Sequence, residues 1–249
     1  MVTIKTAQEI AAMKKAGTIA ASALRVARET LRDGVTTAHV DEAVREYILS
    51  KGATPTFLGY SGYPASTNIS INDRVIHGIP SGSIVVKNGD IVSIDVGATY
   101  DGYVGDNAAT FAIGEISNKA RKLMDVTREA LAMGISAAKM GNRIGDIGAA
   151  VQGCVEANGF SVVRAFVGHG VGRKLHEEPE VPNFGTAGHG PRLVPGMTIA
   201  IEPMVNAGDY DVEILDDGWT VVTRDRSLSA HFENTILITD SEPIILTVE

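Results

Sequence analysis

Cysteine is nearly absent from this chain of 249 residues: Cys154 stands alone, so no intramolecular disulfide can form and a tetrahedral thiolate zinc site is excluded. That usage suits a reducing compartment. No run of 18 apolar residues occurs, and residues 1–15 show no apolar core with a cleavage site. The expectation is therefore a cytoplasmic protein with neither a secretory signal nor a membrane-spanning helix. Basic charge is short too. The 22 Lys and Arg against 30 Asp and Glu leave a net charge of −8, which argues against tight non-specific binding to nucleic acid, since that depends on displacing counterions from phosphates. Low-complexity tracts are missing, so disorder is not expected, and a chain of this length buries about three quarters of its unfolded surface. Several catalytic signatures are also absent. Gly168-His169-Gly170-Val171-Gly172 lacks the dinucleotide-binding spacing, His176-Glu177-Glu178-Pro179-Glu180 is not a zincin helix, and neither a nucleophile elbow nor a phosphate loop is found.

What is present has two periods. Thr6 followed by Glu9 reads as a capping box, with Ile10, Met13 and Ile19 at helical spacing, and predicts a helix over 7–31. A second helix over 37–52 carries Val40, Val44, Tyr47 and Ile48 on one stripe. Two more follow Ser117 (Leu123, Val126, Ala130, Leu131) and Gly145 (Ile147, Val151, Val155), the last stopped by Asn158-Gly159. Between them, β-branched runs bounded by turn residues predict strands over 91–96, 110–113, 161–167, 198–201 and 232–238. Helices and strands in blocks point to the α+β class, helices packed over one face of a curved, largely antiparallel sheet, in a single catalytic domain over 1–249. A weak internal echo appears. Asp95 ends one apolar run and leads through a loop to Asp106 and the strand at 110; Glu202 ends another and leads to Glu233. Pseudo-two-fold halves of about 1–115 and 116–249 would bring all four acids to the centre of the sheet.

An ionised Asp95 inside a buried strand is expensive unless it is paired or bound to metal. The plain alternative, a strand-end acid facing solvent, weakens when Glu202 repeats the setting, with small residues, Ser93 and Ala200, two before each acid. Four converging carboxylates would repel and shift upward without a cation, so they imply metal more than ion pairing. Oxygen ligands with one imidazole suit Mn, Fe, Co or Zn, and bridging carboxylates can hold two ions about 3.5–4 Å apart. His77, His169 and His176 fall in segments marked by Gly or Pro. His39 lies in a surface helix and His189 in a loop, where no chemistry is expected. His231, two residues before Glu233, either supports the site or fills space.

In order along the chain, Gly59-Tyr60-Ser61-Gly62-Tyr63-Pro64, Ser70-Ile71-Asn72-Asp73 with His77-Gly78-Ile79-Pro80, Asp95-Val96-Gly97, Gly105-Asp106, Gly168-His169-Gly170-Val171-Gly172, His176-Glu177-Glu178-Pro179, Ile201-Glu202-Pro203-Met204 and Phe232-Glu233-Asn234-Thr235 resemble the type I methionine aminopeptidases of the pita-bread metallopeptidase family. The resemblance spans nearly the whole chain. It implies the pita-bread fold and removal of the initiator methionine from nascent proteins, with a small second residue preferred. It makes Asp95, Asp106, His169, Glu202 and Glu233 the ligands of two divalent ions, Asp106 and Glu233 shared, Asp95 on the second ion, and His169 and Glu202 on the first. A hydroxide shared by the ions would attack the scissile carbonyl, Glu202 would move its proton, and His77 and His176 would act on the scissile amide. Phe57, Tyr60, Tyr63, Asn68, Leu175 and Trp219 would surround the methionine side chain, although Phe57 and Leu175 read equally well as ordinary core. Two residues depart from the pattern: Asn107 stands where Thr, Ser or Ala is usual, and Asn68 where Cys is common. Implied partners are nascent N-termini and a transient contact with the ribosome, for a monomeric enzyme with no membrane or specific nucleic-acid partner. The rivals are an Xaa-Pro aminopeptidase or dipeptidase of the same fold, a creatinase-like metal-independent hydrolase, and a non-catalytic binding protein on this scaffold. The last two are disfavoured by the intact ligand set, and no helical insertion of the type II kind separates Glu202 from Glu233.

Overall fold

Thr6 and Glu9 satisfy each other at the start of the first helix: the Glu9 N–H donates to Thr6 Oγ1 (3.3 Å) and the Thr6 N–H to Glu9 Oε2 (2.9 Å). Helix α1 (Ala7–Thr30) follows, in a computed structural model that describes residues 2–249. Three further helices are α2 (Thr37–Ser50), α3 (Asn118–Ala137) and α4 (Ile144–Ala157). Thr36 and Ser117 cap α2 and α3 by accepting from the amides of His39 and Ala120, as their short hydroxyl side chains favour.

Nine strands form one antiparallel sheet. Its main path runs Thr54–Pro55, Ile91–Tyr100, Tyr103–Ala112, Glu233–Leu237, Thr198–Ile201, Gly168–Gly170 and Glu177–Val181, with Thr67–Ile71 also on Ile91–Tyr100 and Ile244–Ile245 on Glu233–Leu237. Alternation along the strands sorts the two faces. Val92, Ile94, Val96 and Ala98 join the core under α1 and α2, while Ile199, Ile201 and Ile236 join the core under α3 and α4. Parity then sends Asp95, Glu202 and Glu233 to the face away from the helices. The arrangement is the α+β, pita-bread architecture that the sequence predicts.

Several predicted strand bounds change. The strand expected over 110–113 begins at Tyr103 and ends at Ala112, so Asp106, expected to open it, lies inside it. Asp101 (φ 51) and Gly102 (φ 75) form a two-residue turn with both φ positive, the backbone that joins twisted antiparallel strands, and so tie Tyr100 to Tyr103. Gly105, Asp106, Asn107 and Ala108 carry no apolar run, so the Asp-Gly turn was the only signal of this half of the hairpin. The strand expected over 161–167 is also shorter, Ser161–Val162, paired with Asn206 and Val205. At the crossing of α1 over the hairpin a Cβ on Gly105 would lie 2.4 Å from the Gly17 nitrogen, so helix and strand meet backbone to backbone.

Candidate metal centre and substrate pocket

Register places the acids. Asp95 lies opposite Ala108, and Ala108 lies opposite Glu233 on its other side, so three adjacent strands carry the row Asp95, Ala108, Glu233. Asn234 pairs with Ile201, and the same ladder extended by one residue sets Glu202 beside Glu233. Asp106 is two residues from Ala108 on the same face, opposite Gly97. From the next strand His169 sends Nε2 to within 3.7 Å of Asp106 Oδ2 and 3.5 Å of Glu202 Oε1. Asp106, His169 and Glu233 each offer a ligand atom within 4.8 Å of the others, with Asp95 and Glu202 flanking them. His169 Nδ1 lies 2.9 Å from the Gly170 carbonyl, which accepts its proton and leaves Nε2 with a free lone pair.

These groups fit a cation better than they fit one another. Asp95 Oδ1, Asp106 Oδ1 and Glu233 Oε1 are buried without a hydrogen-bond partner, and no Lys or Arg pairs with any of the four acids among the described residues. Burial first, then mutual repulsion, pushes Asp106, Glu202 and Glu233 well above the usual carboxylate range; burial pushes Asp95 up to about 7. Burial moves the imidazoles the other way, holding His77 and His169 at about 4 and lowering His176, so all three are neutral at pH 7. Orphaned acid oxygens beside a neutral imidazole are a divalent-metal donor set.

One cavity of about 100 Å³ is lined by Asp95, Asp106, His169, Glu202 and Glu233 and also by Phe57, Tyr60, Tyr63, Asn68, His77, Leu175, His176 and Trp219. The structure thus brings to one space every residue that the resemblance gave to metal or substrate. Phe57 and Leu175 serve as core as well, at 6% and 5% exposure, so the two readings of them do not compete. Gly97 leaves room for Phe57: a Cβ there would sit 2.8 Å from the ring. Tyr63 stacks edge-on against Trp219 at 5.1 Å, and the Tyr60 hydroxyl lies 2.6 Å from His176 Nδ1. His77 has a left-handed backbone (φ 58), a conformation that costs a non-glycine residue about 1–3 kcal/mol, and the following Gly78 is packed so tightly that a Cβ would meet the Ile69 carbonyl at 2.2 Å.

Some of this was hidden in the sequence. His231 is buried, its Nε2 3.9 Å from Glu202 Oε2, so it stands beside the site, although it is in a different strand from Glu233. Phe166 packs edge-on against His77 at 5.7 Å, and no motif marked it. Asn68 Nδ2 donates to Asp95 Oδ2 (2.9 Å), a contact that a cysteine would not make with that geometry. Asn107 shares the face of Val96, on the helix side of the sheet, and lies away from the cavity, so its departure from the pattern does not touch the pocket. His39 is exposed on α2, and His189 lies in a loop with Nδ1 3.1 Å from the Ala187 carbonyl.

Comparison with known proteins agrees with this geometry. Residues 11–240 match metallopeptidase family M24. The chain is 54% identical over 248 residues to a methionine aminopeptidase of Clostridium perfringens, covering 100% of this chain and 99% of that one. It superposes on the crystal structure of a methionine aminopeptidase from Thermotoga maritima with a TM-score of 0.99 at 49% identity, each chain covered in full. A prolidase from Pyrococcus furiosus shares the fold at a TM-score of 0.81 and 27% identity, but this chain covers only 65% of it. No helix among the described residues is long and apolar enough to cross a membrane. With a matching segment that runs from α1 through the strand Glu233–Leu237, the chain belongs to metallopeptidase family M24.

Proposed function

We propose that this chain is a methionine aminopeptidase that removes the initiator methionine from nascent proteins, acting over residues 1–249 as one cytoplasmic, monomeric catalytic unit. The observation that carries the reading is the shared cavity: an apolar, partly aromatic slot opens on the same space as the carboxylate and imidazole donors. A slot of that size and lining suits one unbranched thioether side chain.

Asp95, Asp106, His169, Glu202 and Glu233 would hold two divalent ions. When bound, such ions supply Lewis acidity to the scissile carbonyl and lower the pKa of water at the site; Mn, Fe, Co and Zn all suit the donor set. The residues divide the remaining work. Phe57, Tyr60, Tyr63, Leu175 and Trp219 hold the methionine side chain. With the Tyr60 hydroxyl donating to Nδ1, neutral His176 keeps its proton on Nε2, where it can donate to the carbonyl oxygen as charge develops. His77, also neutral, faces the same space and serves the scissile amide. Glu202 takes the proton of the attacking water and passes it on. A small residue at position two of the substrate is preferred, and contact with the ribosome is transient.

The test is release of free methionine from Met-Ala-Ser and Met-Leu-Ser, with Ala-Pro-Ala as control, after chelation and re-addition of each metal. Cleavage of Met-Ala-Ser alone, and only with metal, is expected. Cleavage of the proline peptide alone would move the chain to the Xaa-Pro enzymes, and silence throughout would make it a binding protein.

A further inference from the structure

Asp41 lies near the N-terminal end of α2 and does not line the cavity, although its charge acts on the hydroxyl of Tyr63, which does. Its Oδ1 nevertheless accepts three hydrogen bonds from one short stretch: from the Ser66 N–H (3.0 Å), the Thr67 N–H (2.7 Å) and the Thr67 hydroxyl (2.7 Å). Ser66 and Thr67 are buried at 1% and 0% exposure, so these donors have no water to turn to. Charge-assisted bonds of this kind are about twice as strong as neutral ones.

Thr67 opens the strand Thr67–Ile71, and two lines of contact leave it for the site. The next residue, Asn68, is in register with Asp95 and donates to its Oδ2 at 2.9 Å. The Thr67 carbonyl accepts from the Tyr63 hydroxyl at 3.0 Å, and that hydroxyl also lies 3.1 Å from the carbonyl of Gly78, the residue after His77. The Tyr63 ring in turn packs against Trp219, which stands 6.3 Å from the His77 ring. One carboxylate oxygen therefore anchors the segment from which both an Asp95 contact and the aromatic wall depend.

We propose that Asp41 is a positioning residue for the reaction: by fixing Ser66 and Thr67 it sets Asn68 against Asp95 and the Tyr63 ring against the substrate side chain. The proposal rests on the reading of Asp95 as a metal ligand and of Tyr63 as pocket wall. A residue that merely tethered α2 to the strand would lower stability and leave the site unchanged once folded.

The experiment compares Asp41→Ala and Asp41→Asn with Val44→Ala, a buried position on the same helix that loses packing and keeps the Asp41 bonds. Three quantities are read: calorimetric metal affinity, kcat and KM separately for Met-Ala-Ser, and the emission of Trp219, the single tryptophan, in the metal-free protein. For Asp41→Ala, metal affinity should fall about 10–100-fold, the range for partners that orient a ligand, and KM should rise about tenfold. Trp219 emission should shift, while kcat at saturating metal and peptide should stay within about threefold of wild type. Asp41→Asn, whose amide oxygen can accept the same bonds, should recover most of the loss, and Val44→Ala should lower the melting temperature with the other readouts unmoved. If Asp41→Ala fails to fold, Thr67→Val, which removes one of the three donors, should show a smaller shift of the same readouts. Wild-type affinity, KM and emission in a destabilised Asp41→Ala, or in Thr67→Val where that variant stands in, would overturn the proposal alone. Wild-type protein that binds no metal, or an Asp95→Ala variant that binds it as wild type does, would overturn the site reading and this proposal together.

Discussion

Oxygens without partners on Asp95, Asp106 and Glu233, with burial raising all three acids, favour protons on the metal-free site. The sign of the consequence is fixed by the direction of the shifts. All four acids are raised, so loading metal near pH 6.5 must expel protons, and apparent affinity should climb as pH rises through the range in which Asp95, at about 7, and its neighbours titrate. His169, at about 4, is already neutral there and contributes none of the release. Calorimetry in two buffers of different ionisation enthalpy checks this; identical heats in both would contradict it. His77 and His176 are expected to be catalytic without binding metal. Their alanine variants should lose about 10²–10⁴ in kcat/KM with metal affinity retained, and kinetics near wild type would remove them from the mechanism.

Helix α1 depends on two contrasting features. Its cap is exposed and local, and Thr6→Ala should cost about 1 kcal/mol in urea unfolding. Its crossing of the hairpin is buried and has no slack: a Cβ on Gly17 would sit 2.3 Å from the Leu246 carbonyl, and one on Gly105 would meet Gly17. Gly17→Ala and Gly105→Ala should each cost about 1–3 kcal/mol or more, since backbone must move to admit the methyl group. Equal stability in either variant would mean that α1 can lift off the sheet. The same elements show what the sequence could reveal. All four helices were visible because a capping residue or a glycine stop bounded an apolar stripe. Thr198–Ile201 was visible because it is short, buried and β-branched. Tyr103–Ala112 was not, because its inner half faces a helix at a glycine and a cavity at an acid, and neither side asks for an apolar residue. In the site, the residues that line the cavity stood out through motif and odd chemistry. Phe166 and, outside the cavity, Asp41 did not, and for His231 the sequence left two readings open, because what places these residues is register and packing between segments far apart in the chain.

Across the whole molecule the cavity belongs to both pairs of helices, with Asp95 and Asp106 on strands under α1 and α2, Glu233 on a strand under α3 and α4, and Glu202 just past the end of its neighbour there. Metal should therefore stabilise the protein globally. At a free concentration 100 times the dissociation constant the gain is about 2.7 kcal/mol, read as a higher melting temperature that chelator abolishes. A melting temperature indifferent to chelator would place the ions outside this site.

The row Asp95, Ala108, Glu233 spans three strands, of which the third arrives from more than 100 residues downstream. During refolding, the first hairpin alone offers two carboxylates and no imidazole. Tight metal capture thus becomes a clock for the last stage of assembly: in a stopped-flow experiment it should lag behind helix formation and coincide with the closing of Tyr103–Ala112 onto Glu233–Leu237, so that a chain that has mispaired its strands announces itself by failing to hold an ion.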